Sequence, residues 1–87
     1  MGVRIAEMYQ HDLANPLAAT LEYEEILKRR LPRPARAWLM VRLATCYLLL
    51  KRVDDARAKL REVAEKFPRT PAAEKAERRL ARMESHL

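Results

Sequence analysis

The sequence predicts an all-α protein, and three features carry that prediction. The chain has one glycine in 87 residues, whereas β-rich folds need glycine in turns and phosphate-binding loops need it where the backbone approaches the ligand. Its prolines fall between the apolar segments. Apolar residues recur every three or four positions, which is the spacing of one helix face. A chain of this length suffices for one domain and excludes large enzyme folds such as barrels or doubly wound sheets.

Caps and prolines predict five helices. Asn15 before Pro16 and Thr70 before Pro71 are helix starts, because the Asn and Thr oxygens accept backbone N–H bonds and proline has no N–H to leave unbonded. The predicted helices cover 3 to 12, 16 to 30, 34 to 50, 53 to 66 and 71 to 86. Since the turns between them are short, we expect neighbouring helices to run antiparallel.

The third predicted helix, 34 to 50, is apolar on nearly all sides. One face carries Leu39, Leu43, Cys46, Tyr47 and Leu50, and most of the other carries Trp38, Val41, Leu48 and Leu49. Such a helix is either central in a stack or placed to receive a partner. The fifth predicted helix has a single apolar stripe with charged residues elsewhere, which is typical of a capping helix at the end of a stack.

The chain contains an internal repeat. Residues 3 to 9 align with residues 41 to 47 and, more weakly, with residues 78 to 84, so equivalent positions lie 38 and 37 residues apart. An alanine followed four positions later by an apolar residue comes after each of the first two copies, and then a proline: Ala19, Tyr23 and Pro32, then Ala56, Leu60 and Pro68. Each period contains two predicted helices.

This repeat resembles the tetratricopeptide repeat, whose pattern over about 34 residues is W-x2-L-G-x2-Y, then A-x3-F, then P. The second copy matches with Met40 for Trp, Leu43, Ala44 for Gly, Tyr47, Ala56, Leu60 and Pro68. The first copy matches with Ile5, Ala6, Tyr9, Ala19, Tyr23 and Pro32, and the third with Leu80 and Ala81. The resemblance implies an α-solenoid with one repeat at 1–33, a second at 34–70 and a capping helix at 71–87.

The period is longer than in most members of that family, because prolines extend the turn between repeats. In this respect the chain is similar to the tandem repeats of bacterial envelope proteins such as the Tol-Pal-associated division coordinator. The N-terminus lacks a secretory signal pattern, so we expect a cytoplasmic protein, or a periplasmic one if a signal or anchor was removed. The most apolar segment, 37 to 50, is too short to cross a bilayer and contains Arg42.

The resemblance also implies a groove along the first helix of each repeat, which holds a peptide or helix of a partner protein. The residues predicted to line it are Trp38, Val41, Arg42, Thr45, Leu48 and Leu49 on the third predicted helix and Lys75, Arg78, Arg79 and Arg82 on the fifth. Tryptophan and arginine are common binding hot spots. The alternatives are that Trp38 packs against the second helix and that the arginines form a solvated capping face. Because Thr45 stands where chaperone-binding members have Asn, we do not expect their full carboxylate clamp.

The net charge of +6 is unevenly distributed. Residues 1 to 27 carry a net charge of −4, and residues 28 to 36 carry +5. The basic residues of this second segment are Lys28, Arg29, Arg30, Arg33 and Arg36. Such a cluster suits phosphate groups, so the alternative function is a basic helical protein that binds nucleic acid or anionic lipid. Nucleic acid is disfavoured, because neither interleaved aromatic residues nor a recognition helix accompanies the cluster.

No catalytic site, metal site or cofactor is predicted. His11 and His86 lie far apart in the sequence, and Cys46 lies on an apolar face, where a thiol is usually inert. We therefore expect a non-catalytic interaction or scaffold module. Solenoids generally need three or more repeats, so we also expect a homo-oligomer, or a part of a longer chain or complex, which buries Leu17 and Leu21 and the apolar side at Trp38.

Overall fold

Residues 14–85 are described by a computed structural model of the chain, and all of their regular structure is helical. The helices are α1 (Pro16–Leu27), α2 (Arg33–Leu49), α3 (Val53–Lys66) and α4 (Pro71–Ser85). They correspond to the second to fifth predicted helices, so the all-α prediction is confirmed for this part of the chain. The described residues thus hold four helices where five were predicted, and the predicted helix over 3 to 12 lies outside them.

The helix boundaries differ from the predicted ones by at most three residues. α3 begins and ends where predicted, whereas α1 ends at Leu27 instead of residue 30. The backbone N–H groups of Lys28 and Arg29 donate to Glu25 and Ile26 at 3.2 and 3.0 Å. These bonds to the third preceding residue form the tighter 3₁₀ turn that often closes an α-helix.

Both predicted N-caps are present. Ala18 N donates to Asn15 Oδ1 at 3.1 Å, and Ala73 N donates to Thr70 Oγ1 at 3.1 Å. Each bond satisfies one of the backbone N–H groups that the first turn of a helix leaves without a partner. The other two helices start without a side-chain cap. The start of α3 has two aspartates in its first turn, where negative charge is favourable.

α2 is the central helix of the described structure. It packs against α1, α3 and α4. Among the described helices, α1 packs against α2 alone, whereas α3 and α4 also pack against each other. The buried residues of α2 are Ala37, Met40, Val41, Leu43, Ala44, Cys46 and Tyr47. Its neighbours bury Ala19, Thr20 and Tyr23 of α1, Ala56, Leu60 and Val63 of α3, and Ala72, Ala73 and Ala76 of α4. The apolar character of α2 on nearly all sides thus follows from its contacts with three helices.

The turn after α2 is closed by a Schellman motif. The N–H of Lys51 donates to Leu48 O at 3.0 Å and the N–H of Arg52 donates to Tyr47 O at 2.8 Å. Lys51 has a φ of 64°, in the left-handed region, where glycine is the commonest residue. The Arg52 guanidinium lies 4.4 Å from the centre of the Tyr47 ring. This cation–π contact occupies the place of the apolar contact that usually accompanies the motif.

We expect Lys51→Gly to stabilise the protein by about 1 kcal/mol, because glycine adopts the left-handed conformation without steric strain at Cβ. Chemical denaturation of both proteins measures this difference in the free energy of unfolding. Lys51→Ala is the matched control, since it also removes the charge but keeps Cβ. An equal gain for both variants would contradict the steric explanation.

Two tyrosines form polar contacts between α1 and α2. Tyr47 Oη donates to Glu24 Oε2 at 2.7 Å, and Arg42 Nε donates to Tyr23 Oη at 3.2 Å. Burial and the hydrogen bond to the Glu24 carboxylate raise the pKa of Tyr47 to about 12. The Tyr47 phenol therefore remains protonated, and able to donate, well above its ordinary pKa of 10.0.

The free energy of unfolding should fall as the pH rises from 10 to 12. The unfolded Tyr47 ionises at its ordinary pKa of 10.0, whereas the folded pKa is about 12. The stability that this difference provides is therefore complete below pH 10 and is lost as the pH approaches 12. Titration of tyrosinate absorbance should show a step near pH 12 that Tyr47→Phe removes and Tyr23→Phe retains. A step that survives in Tyr47→Phe would disprove the assignment.

Candidate partner-binding site

The predicted groove residues Trp38 and Lys75 are in contact. Trp38 lies on α2 and is 42 % exposed. The Lys75 ammonium, from the first half of α4, lies 5.8 Å from the centre of the Trp38 ring, within cation–π range. The side chain of Trp38 is therefore neither enclosed in the core nor fully solvated. Contact between α2 and α4 brings together two residues that are 37 positions apart in the sequence.

Three arginines lie near enough to Lys75 to influence its ionisation. Burial lowers the pKa of Lys75, and the positive charges of Arg79, Arg42 and Arg78 lower it further. Within residues 14–85, the ion pairs include neither Lys75 nor Arg78 nor Arg79. Two helices thus bring four cations close together, and three of them, Lys75, Arg78 and Arg79, form no ion pair with a carboxylate of residues 14–85.

Arg42 is held in place by α1. It is half-buried, and its Nε donates to Tyr23 Oη at 3.2 Å. Tyr23 is itself only 4 % exposed, so the ring that accepts this bond is fixed in the core. The α1–α2 contact therefore helps to set the position of one of the four cations.

The other predicted groove residues differ in exposure. Leu49 is 41 % exposed, and Leu48 packs partly against the core. Thr45 is half-buried and its hydroxyl donates to Val41 O at 3.2 Å, one turn earlier. Val41 is only 2 % exposed, because α2 is covered by its neighbours on that side. We therefore correct the predicted set by assigning Val41 to the core.

Without Val41 and Leu48, which packs partly against the core, we call the remaining surface the Trp38 face. It consists of Trp38, Arg42, Thr45 and Leu49 on α2 with Lys75, Arg78, Arg79 and Arg82 on α4. Its two apolar ends, Trp38 and Leu49, are 11 residues apart, which is about 16 Å along a helix. α2 contains no acidic residue. An open depression on α4, lined by Glu74, Glu77, Arg78 and Ala81, adjoins this face at Arg78.

Two arginines of the basic segment bind the ends of neighbouring helices. Arg36 donates from Nη1 to Leu27 O at 3.0 Å and from Nη2 to Arg29 O at 2.8 Å. Arg33 Nη2 donates to Lys66 O at 2.7 Å, and its guanidinium lies 5.1 Å from the centre of the Phe67 ring. The start of α2 thus lies beside the last residues of α1 and α3, as expected for antiparallel neighbours.

These contacts give Arg33 and Arg36 a structural role that sequence reasoning missed. The last carbonyls of a helix have no partner within it, and a guanidinium can satisfy them while favouring the negative end of the helix dipole. Nothing in the sequence separates these arginines from their neighbours, because the acceptors belong to other helices. Lys28, Arg29 and Arg30 are exposed, and Lys28 Nζ pairs with Glu25 Oε1 at 3.0 Å.

We expect Arg36→Ala to lower the free energy of unfolding by about 1–2 kcal/mol, because two helix-end carbonyls lose a charged donor. Arg30→Ala removes the same charge from an exposed position and should change stability by less than about 0.5 kcal/mol. Denaturant titration of the two variants tests this difference. Equal effects would show that net charge, and not the capping contacts, determines stability.

The described residues provide no other obvious site. Within 14–85, no three His, Cys, Asp or Glu side chains are placed to hold a metal ion. Cys46 is fully buried in the core. Leu17 and Leu21, predicted to be buried by self-association, are 55 and 57 % exposed on α1. His11 and His86 lie outside the part that the structure describes.

None of the helices within residues 14–85 combines the length and apolar character needed to span a membrane. The chain matches no protein-family model, no curated protein and no solved structure.

Proposed function

We propose that this chain is a non-catalytic protein-interaction module that binds a peptide or helix of another protein on the Trp38 face. Its architecture in this proposal is that of two tetratricopeptide-like repeats followed by a capping helix. The observation that carries the proposal is the contact between Trp38 and Lys75. This contact combines exposed aromatic surface and clustered positive charge across two adjacent helices.

The burial of equivalent residues supports the repeat. Ala19 of α1 and Ala56 of α3, 37 residues apart, are both fully buried. Four positions later, Tyr23 and Leu60 are 4 and 0 % exposed. Each described helix packs against the next one along the chain. One further pair of described helices is in contact, α2 with α4, and these are the proposed first helices of consecutive repeats. Contacts limited to near neighbours are the pattern of a solenoid.

The surface of α4 supports its role as a cap. Four residues line the open depression on α4. In the proposed repeat they are equivalent to four buried residues of α2, which lie 37 positions earlier in the sequence. Ala37, Met40, Val41 and Ala44 are thus replaced by Glu74, Glu77, Arg78 and Ala81. Three of these four positions on α4 carry charged residues. This surface is therefore better suited to contact with solvent than to packing against a further helix. Solenoids require such polar terminal surfaces.

The composition of the Trp38 face supports partner binding. Tryptophan and arginine are enriched among residues that dominate binding energy, and such residues cluster within an interface. Trp38 and Leu49 supply exposed apolar area at the two ends of the stripe on α2. The Lys75 ammonium lies 5.8 Å from the centre of the Trp38 ring, so aromatic surface and positive charge are adjacent.

The longer period favours the bacterial envelope-type repeats within this family, and we include that subfamily in the proposal. A cytoplasmic or periplasmic location and self-association stay predictions. The alternative, binding of nucleic acid or anionic lipid by the basic segment, receives less support. Two of its five cations, Arg33 and Arg36, bind helix carbonyls, so only part of the segment's charge faces solvent freely.

We expect Trp38→Ala to lower the affinity for a bound peptide at least about tenfold, because the largest exposed apolar group of the face is lost. Leu49→Ala should have a smaller effect in the same direction. The ligands are peptides selected by the unaltered protein from a displayed random library, and fluorescence anisotropy measures their affinity. Circular dichroism establishes that each variant remains helical.

Leu21→Ala is the control, since it removes an apolar side chain that is even more exposed, 57 % against 42 % for Trp38, from a different helix. Its affinity should equal that of the unaltered protein. The proposal fails if the protein selects no peptide, or if Trp38→Ala and Leu21→Ala bind the selected peptides equally well.

A further inference from the structure

The turn between α1 and α2 and the turn between α3 and α4 lie at the same end of the helix bundle. Arg33 Nη2, at the start of α2, donates to Lys66 O at 2.7 Å, and the Arg33 guanidinium lies 5.1 Å from the centre of the Phe67 ring. Arg36 Nη1 donates to Leu27 O, at the end of α1. These contacts join two segments that are far apart in the sequence into one surface.

Both turns are rich in basic residues. Residues 28 to 36 contain five of them and residues 66 to 73 contain two, and neither segment contains an acidic residue. Arg33 and Arg36 donate to the carbonyls of helix ends. The other five are all exposed, and we call them the basic end: Lys28, Arg29, Arg30, Lys66 and Arg69. The second turn thus adds two cations to a surface that has two of its own arginines occupied by helix carbonyls.

Carboxylates balance part of the charge of the basic end. Two of its lysines pair with a residue about one turn earlier, Lys28 with Glu25 at 3.0 Å and Lys66 with Glu62 at 3.1 Å. Glu65 and Glu74 flank the second turn in the sequence. The three arginines of the basic end form none of the ion pairs within residues 14–85. They are therefore the main candidates for pairing with an external anion.

These three arginines are spread over the end of the bundle. Arg29 and Arg30 follow α1, Arg69 lies between α3 and α4, and α2 packs between α1 and α3. The axes of packed helices are about 8–10 Å apart. A close ion pair needs an N···O distance of about 4 Å or less, so a single phosphate or carboxylate cannot pair with all three. A surface that carries many anionic groups can do so.

The tip of the first turn is apolar. Leu31 and Pro32 lie between Arg30 and Arg33 in the sequence, and Leu31 is half-buried whereas Pro32 is exposed. Apolar groups flanked by cations suit a membrane that contains anionic lipids. The apolar groups can enter the boundary between headgroups and acyl chains, and the cations are attracted by the negative surface potential.

A membrane surface fits the basic end better than a nucleic acid does. The major groove of duplex DNA admits a helix or a β-ribbon, whereas the basic end consists of turns and helix ends. Single strands stack their bases on aromatic side chains. Phe67, the aromatic residue of the second turn, is only 5 % exposed and lies against the Arg33 guanidinium.

We infer that the basic end docks this protein on the surface of a membrane that contains anionic lipids. The contact is peripheral, with the arginines of both turns at the headgroups and the apolar tip of the first turn at the interface. This inference goes beyond the proposed function, because it assigns a second surface and does not depend on peptide binding.

The test is sedimentation of the protein with vesicles made of equal amounts of phosphatidylserine and phosphatidylcholine. The unaltered protein should bind these vesicles at least about tenfold more tightly than vesicles of phosphatidylcholine alone. Added salt should weaken the binding, because it screens surface charge. The double variant Arg30→Gln/Arg69→Gln should bind the mixed vesicles at least about tenfold more weakly, and each single variant should have an intermediate affinity.

The control is the double variant Lys51→Gln/Arg61→Gln, which has the same net charge as Arg30→Gln/Arg69→Gln. Both of its positions are exposed and lie outside the basic end, and Lys51 belongs to the turn between α2 and α3 at the opposite end of the bundle. Its affinity for the mixed vesicles should equal that of the unaltered protein. Circular dichroism establishes that all variants remain helical. At equal phosphate and salt concentrations, a short duplex DNA should bind more weakly than the mixed vesicles.

Each contrary result would overturn the inference for a different reason. Equal binding to the two kinds of vesicle would show that anionic lipid is not recognised. Equal losses in the two double variants would show that net charge alone determines binding. Full binding by Arg69→Gln would show that the two turns do not act together. Tighter binding of the DNA, lost in Arg30→Gln/Arg69→Gln, would assign the basic end to nucleic acid.

Discussion

Burial of α2 against three other helices is the constraint on which the described structure depends. Its buried alanines, Ala37 and Ala44, are 1 and 0 % exposed and allow neighbouring helices to approach closely. Once α1, α3 and α4 cover their parts of α2, the residues beyond its first turn that stay exposed in the described structure are Trp38 and Leu49. The candidate binding surface is therefore the part of the central helix that internal packing leaves uncovered. Its position follows from the same contacts that stabilise the fold.

The arginines at the start of α2 connect charge with architecture. Antiparallel packing places this helix end beside the carbonyl ends of α1 and α3, where Arg36 and Arg33 donate hydrogen bonds. A net charge of +6 therefore does not translate directly into surface for a polyanionic ligand. Part of the basic composition serves helix ends, whereas Lys75 and Arg79 lie on α4 and form none of the ion pairs within residues 14–85. Similar residue types thus have different roles in two regions of one small protein.

Local features of the fold were predictable from the sequence because their causes lie within a few residues. Asn15 and Thr70 cap helices through bonds to the third residue that follows, and both bonds are present. Trp38 and Lys75 were both predicted to line one surface, and they are in contact. The burial of Val41 and the bonds of Arg36 were not predictable, since they depend on how helices distant in sequence approach one another. The left-handed conformation of Lys51 was also missed, because a lysine gives no local signal for it.

The pattern of helix contacts also bears on cooperativity. Among the described helices α1 packs against α2 alone, so local opening of α1 would disrupt one helix interface and leave the α2–α3 and α2–α4 interfaces intact. Arg42 would then lose the hydrogen bond that it donates to Tyr23, while Lys75 would still lie against Trp38. A ligand that requires a fixed Arg42 would therefore favour the closed state of α1. Binding on the Trp38 face would in this way be coupled to the folding of α1.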